Sequence, residues 1–138
     1  MNATHSFSVP DLARILGLSE GDTVQEIGWD EDCDSSLSEA VEDIIDAELF
    51  DEDSTEICTA VLLWWRDGDG DLVDMLVDVS RNLDDGGRIW VLHPGAGKPG
   101  ALESGLVSES AQIVGMVQTK AALLGQWQGS CLVSRGAK

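Results

Sequence analysis

Residues Thr23-Val24-Gln25-Glu26-Ile27-Gly28-Trp29-Asp30-Glu31-Asp32 constrain the fold of this chain more than any other stretch. They read as a short strand, Thr23 to Trp29, that ends on an acidic residue, a glycine and a sharp turn. A helix pattern follows at once. Ser36 and Glu39 fit a capping box. Leu37, Ala40, Val41, Ile44, Ile45 and Leu49 recur at the three–four spacing of one buried stripe, with Ser38, Glu39, Glu42, Asp43 and Asp46 on the wet side. In a large class of α/β proteins, such a strand-to-helix turn receives a nucleotide-like cofactor.

The remaining chain repeats the alternation. Ser8, Pro10 and Asp11 suit the start of a first helix, and Gly17 its stop. The nearly continuous apolar run Ile57 to Trp65 fits a strand covered on both faces. Asp69 or Asp71 starts a third helix carrying Leu72, Met75, Leu76, Val79 and Leu83, which Gly86-Gly87 ends. Arg88 to His93 reads as a third strand, and residues 94–100 as a loop rich in glycine and proline. A weaker helix runs from Ser104 to about Val114. Val117 to Leu124 and Ser130 to Arg135 read as two closing strands, joined in a hairpin by Gln126-Trp127-Gln128-Gly129. Strands alternating with amphipathic helices imply a parallel sheet. The expected product is one three-layer, Rossmann-like α/β domain over residues 8–138, preceded by a flexible arm over residues 1–7. It has about five strands, mostly parallel, with an antiparallel C-terminal hairpin.

The chain has 138 residues, 26 acidic against eight basic, and a formal net charge of -18. Such a surface repels phosphate backbones and anionic lipids, which argues against nucleic acid and membranes as partners. The acidic residues are densest from Asp30 to Asp53; solubility or adaptation to salt is the plainest reading of the charge, and a basic protein partner, or mimicry of nucleic acid, is the alternative. No apolar run reaches the length of a membrane span, and the N-terminus does not read as a signal peptide. Cys33, Cys58 and Cys131 are widely spaced, the pattern of reduced thiols in a cytoplasm.

Residues Leu16-Gly17-Leu18-Ser19-Glu20-Gly21-Asp22-Thr23-Val24-Gln25-Glu26-Ile27-Gly28 resemble the entry to an S-adenosylmethionine-dependent methyltransferase domain. Leu83-Asp84-Asp85-Gly86-Gly87-Arg88-Ile89-Trp90-Val91 and the closing hairpin resemble later parts of the same fold. The resemblance implies a shortened sheet that lacks one or two internal strand–helix units. Val24-Gln25-Glu26-Ile27-Gly28-Trp29-Asp30, Val61-Leu62-Leu63-Trp64-Trp65-Arg66-Asp67 and Asp69-Gly70-Asp71-Leu72 are similar to an actinobacterial family of unknown function, DUF3052, over about Leu18 to Val133. Methyltransferases need an acidic residue and then glycines at alternate positions in this turn. Glu26 and Gly28 match, whereas Asp30 and Asp32 stand where the further glycines belong. Their side chains would intrude on the methionine part of the cofactor and face its carboxylate with like charge. The expectation is therefore no cofactor, no catalytic residues and no methyl transfer.

The carboxyl ends of the parallel strands still define a crevice. Glu26, Gly28, Trp29, Asp30, Trp64, Trp65, Arg66, His93 and Pro94 are its candidate residues, for a partner or a small planar ligand. Trp64 and Trp65 are adjacent in a strand and point to opposite faces. Asp67-Gly68-Asp69-Gly70-Asp71 spaces carboxylates like a calcium loop, but Leu72 replaces the required glycine and Asp78 the final glutamate. A turn with a helix cap is the better reading, and no metal site is assigned. Gly95-Ala96-Gly97-Lys98 lacks the earlier glycine and the hydroxyl residue of a phosphate loop. The sequence favours a non-catalytic binding or regulatory protein that acts through protein–protein contacts. A small-molecule or nucleotide-binding module is the first alternative. A divergent methyltransferase or a metal-assisted hydrolase is the second. Loss of internal strands would leave the Val24–Trp29 strand as a sheet edge, open to a homodimer or a partner protein.

Overall fold

The computed structural model describes residues 8–134, so the expected arm over residues 1–7 lies outside the described residues. The elements alternate as α1 (Val9–Leu16), β1 (Val24–Ile27), α2 (Ser35–Ile45), β2 (Cys58–Trp64), α3 (Leu72–Ser80), β3 (Leu83–Pro94), α4 (Leu106–Ile113), β4 (Met116–Leu124) and β5 (Trp127–Ser134). One sheet of five strands runs in the order β1-β2-β3-β5-β4. The β1–β2 and β2–β3 pairs are parallel, and β5 runs antiparallel to both β3 and β4. The expected Rossmann-like α/β architecture of five strands, closed by an antiparallel hairpin, is present.

Burial on both sheet faces makes three layers. Ala60, Leu62, Trp64, Trp90 and Leu92 pack against Leu12 and Leu16 of α1 and against the Leu37–Ile45 stripe of α2. Val61, Leu63, Ile89 and Val91 pack on the other face against Leu72, Leu76 and Val79 of α3 and Val107 and Ala111 of α4. The uninterrupted apolar run of β2 follows from this double cover. No helix among the described residues is long and apolar enough to cross a membrane.

Local chemistry moves several expected boundaries. Helix α2 starts one residue before Ser36 because Asp34 caps it, its Oδ1 accepting from the Ser36 N–H at 3.0 Å. Helix α3 is capped by Asp71, whose carboxylate accepts from the N–H groups of Val73 and Asp74. It ends at Ser80, and Leu83 and Gly86-Gly87 belong to β3. Cys58 pairs with Leu83 and Ala60 with Arg88, so the intervening residues bulge out of the ladder, and Gly86 takes the required positive φ of 77°. The hairpin turn is also tighter than expected. Leu124 pairs with Trp127, so only Gly125 and Gln126 lie in the turn, and Trp127, Gln128 and Gly129 are strand residues.

The Val24–Trp29 edge differs most from expectation. Strand β1 stops at Ile27, and its outer side is already occupied. Phe50 forms a one-residue parallel bridge with β1: its N–H donates to the Val24 carbonyl and its own carbonyl accepts from the Glu26 N–H, both at 2.9 Å. The buried Gln25 amide then donates to the carbonyls of Asp51 and Ser54 at 3.0 and 3.1 Å. The acidic loop after α2 thus covers the edge that was expected to be open.

The cover also locates the crevice. From β1 the chain passes through α2 to Phe50 on the outer side, whereas from β2 it passes through α3 to β3 in the opposite direction. The reversal falls between β1 and β2. In open α/β sheets the ligand crevice lies outside the carboxyl ends of the strands at such a point.

Candidate functional site

Three groups build the floor of the crevice. Glu26, at the end of β1, accepts through Oε2 from Ser38 of α2 at 2.5 Å and from the indole Nε1 of Trp64 at 2.9 Å. The acidic residue of the turn therefore binds β1, β2 and α2 together. Gly28 follows with φ at +82°, and a Cβ there would stand 2.5 Å from the Trp64 carbonyl oxygen. Only glycine permits this approach between the turn and β2. Trp64 is fully buried and meets Trp127 edge-on, with ring centroids 4.8 Å apart.

Arg66 fills the space above this floor. It leaves the end of β2 toward the α1/α2 face, and its side chain is 16% exposed. Nε and Nη2 donate to the two carboxylate oxygens of Asp32 at 2.9 and 2.6 Å. Nη1 donates to the Gly28 carbonyl at 3.0 Å and to Asp69 Oδ2 at 3.3 Å. Nη2 also donates to Cys33 Sγ at 3.0 Å. A guanidinium has five N–H donors, and each of the five meets an acceptor from the protein. The cation also lies 5.4 Å from the centroid of the Trp127 ring.

The charges follow from these contacts. Hydrogen bonding to Arg66 holds the Asp32 carboxyl below its usual pKa. The same hydrogen bonds hold the guanidinium charged beyond its ordinary range. Burial pushes the Cys33 thiol up to about 11, so it stays protonated near neutral pH. Asp30 contributes backbone, its N–H reaching Cys33 Sγ at 3.2 Å, while its carboxylate accepts from the Glu31 N–H at 2.8 Å.

The structure divides the nine candidate residues. Glu26, Gly28, Trp64 and Arg66 gather in the crevice, with Asp30 and Trp29 on its rim, beside a cleft of about 230 Å³ lined by Asp32, Cys33, Asp34, Ser35, Gln126 and Trp127. Trp29 is 45% exposed, and Asp30, Glu31, Asp32 and Asp67 beside the mouth are exposed too. Trp65 points to the other sheet face and is buried against α3. His93 also lies across the sheet from Arg66. With Pro94, it lines a separate cleft of about 330 Å³ that includes Ser104, Ser108, Gln118 and Gln128. His93 Nε2 is 3.3 Å from Ser130 Oγ, and burial lowers its pKa. Asp32, Cys33, Asp69 and Trp127 are crevice residues that were not among the nine. The Asp-Gly repeat serves as turn and cap: Asp69 accepts from the Arg66 N–H at 2.9 Å, and Asp71 caps α3. Among the described residues, no group of three or more His, Cys, Asp or Glu is placed to hold a metal.

The polar groups of this turn are engaged within the protein rather than offered to S-adenosylmethionine. The first strand-to-helix turn would have to offer its backbone to the cofactor's amino-acid end. Here the Gly28 carbonyl is taken by Arg66, and Asp32 is drawn across the opening. No Arg66 donor remains for a carboxylate.

The profile of a protein family of unknown function, DUF3052, matches residues 13–136. The chain belongs to the DUF3052 family. Uncharacterised proteins of Mycobacterium tuberculosis and Mycobacterium bovis are each 46% identical to it over 123 residues, covering 89% of this chain and 78% of theirs. Among solved structures, mitomycin 7-O-methyltransferase superposes with a TM-score of 0.60 at 12% identity, over 92% of this chain. This chain spans about half, 54%, of that enzyme's length. A SAM-dependent methyltransferase from Thiobacillus denitrificans, in complex with S-adenosyl-L-homocysteine, superposes with a TM-score of 0.58 at 12% identity, over 92% of this chain and 90% of its own. At such identity the likeness is one of fold. This chain therefore has a methyltransferase-like α/β fold with a five-stranded mixed sheet.

Proposed function

We propose that this DUF3052 protein is a non-catalytic binding module, with its ancestral cofactor crevice closed by its own side chains and its mouth turned into a docking surface for a basic protein segment. The observation that carries the reading is Arg66, all five donors of which are held by Asp32, Gly28, Cys33 and Asp69. The latch leaves Trp29 standing 45% exposed beside Asp30, Glu31 and Asp32. An exposed indole in an exposed acidic turn suits a lysine- or arginine-bearing strand or helix. The aromatic supplies contact area and a cation–π face, and the carboxylates supply attraction and orientation.

Titration of the intact protein with arginine-rich peptides, followed by tryptophan fluorescence and calorimetry, tests this. The wild type should bind, and Trp29→Ala should weaken binding about tenfold, the scale of one aromatic anchor. Net charge is unchanged in that variant, so equal affinity would reduce the interaction to diffuse attraction and refute the docking site.

A second reading rests on the His93 cleft. Its volume of about 330 Å³ and its mixed lining, in which His93, Glu103, Ser108, Gln118 and Gln128 stand beside apolar Leu102 and Val107, suit a small, partly apolar molecule with polar groups. Filling the cleft with Gln118→Trp should abolish any such binding while leaving the peptide affinity intact. If ligand binding survives the substitution, the cleft is not its site.

A further inference from the structure

We propose that two copies of this chain associate through the outer edge of β4, joining their sheets across a two-fold axis into one ten-stranded sheet. The inference goes beyond the proposed docking role and uses the opposite end of the sheet. Sheet order places β4 outermost, and among the described residues it pairs only with β5. The other edge is closed, because Phe50 and Gln25 tie the acidic loop over β1.

Strand β4 has few of the devices that normally keep an edge solitary. It is nine residues long, Met116-Val117-Gln118-Thr119-Lys120-Ala121-Ala122-Leu123-Leu124, without proline. Its apolar side chains are presented to solvent: Leu123 is 72% exposed and Val117 39%. Its only charge is Lys120, and edge lysines normally guard by projecting outward. Here the ammonium lies over the Trp90 ring of its own sheet, 6.0 Å from the centroid. A register shift at Thr119 marks a bulge, which leaves Lys120 to Leu124 as the regular, small-residue segment open to pairing.

Charge selects the occupant. All 26 Asp and Glu residues precede residue 110, whereas Lys120, Arg135 and Lys138 follow it. The closing hairpin is thus free of acidic residues in a chain of net charge -18. Most other faces would set carboxylates against carboxylates if two copies met. The β4 edge is where a second copy can approach without that opposition. An antiparallel pair of identical strands is self-complementary, as a two-fold interface requires.

Sedimentation velocity of the full chain at about 5–500 µM, in low and in about 0.5 M salt, tests the proposal. Dimer should appear with concentration and strengthen with salt, because the two anionic bodies still repel at longer range and salt screens them. Leu123→Lys and, separately, Ala121→Pro should each weaken association at least about tenfold, the first by an edge charge and the second by a lost N–H donor. Far-ultraviolet circular dichroism and melting temperature report whether each variant remains folded. If one does not, Val117→Lys replaces it. Hydrogen exchange supplies an independent readout: the Lys120–Leu124 amides should gain protection as wild-type concentration rises. A monomer at every concentration and salt overturns the proposal. So does a dimer that the edge variants leave intact, or one that dissociates as salt rises.

Discussion

Replacing Arg66 by alanine removes the latch, and the structure sets the size of the effect. Asp32 is the more exposed half of the ion pair, its side chain 56% accessible, so water and salt screen it. Its two hydrogen bonds are therefore worth about 0.5–1 kcal/mol, the scale of a surface pair. The Gly28 carbonyl loses a part-buried partner, about 1–2 kcal/mol. Contact with the Trp127 ring contributes about 0.5–1 kcal/mol more. The expected loss is about 2–4 kcal/mol, which for this size of domain lowers the melting temperature by about 6–16 °C. Asp32→Asn should lose only about 0.5–1 kcal/mol, because Arg66 keeps Gly28, Asp69 and Cys33. Urea denaturation with matched m-values measures both. A pH series adds a sign. Asp32 has a depressed folded-state pKa, so its contribution is present above the usual carboxylate value of 3.8 and disappears as pH falls through the folded-state pKa. The stability gap between wild type and Asp32→Asn should therefore close in acid. The reasoning is refuted if Arg66→Ala is no more destabilising than Asp32→Asn, because the guanidinium would then be an ordinary surface ion-pair partner.

Three other perturbations probe the same frame. Gly28→Ala combines a left-handed backbone with a Cβ 2.5 Å from the Trp64 carbonyl, and should lower stability by at least about 2 kcal/mol in chemical denaturation. Gln25→Ala frees the Asp51 and Ser54 carbonyls, so the amides of Glu26 and Phe50 should exchange at least about tenfold faster, a local opening easier by about 1–2 kcal/mol. Burial lowers the His93 pKa, so its contribution to stability is present above the unfolded-state value of 6.5 and declines as pH falls below it. His93→Gln should flatten that part of the stability profile, and an unchanged slope would place the titration elsewhere.

Much of the frame was legible because it rests on periodic burial. The α2 stripe and the apolar β2 run can be read at their own spacing, and parallel strands alternating with helices leave few arrangements. The boundaries that moved are those where two signals overlapped. Leu76, Val79 and Leu83 continue a helical rhythm past Ser80, but the bulge at Gly86 puts Leu83 in a strand. Gln126 to Gly129 has turn composition, yet the strand register leaves only Gly125 and Gln126 for the turn. Phe50 was invisible because a single residue carries no period, although it decides whether β1 is an open edge. The crevice residues were half legible. Glu26 and Gly28 stand out in the turn, whereas Asp32 is 34 residues from Arg66, and Trp127 comes from the opposite end of the chain. No local pattern announces contacts of that range. The planar guanidinium, donating to both carboxylate oxygens, gives Asp32 a structural role in the turn that no local pattern shows.

The central claim, that the crevice is closed by Arg66, is tested most directly by calorimetric titration of S-adenosylmethionine into the wild-type protein. With about 100 µM protein and ligand carried to about 2 mM, the account predicts only heats of dilution, since no affinity stronger than about 1 mM is expected. A saturable isotherm with a dissociation constant below about 100 µM, abolished by excess S-adenosylhomocysteine, would contradict it and return the chain to the cofactor-binding methyltransferases.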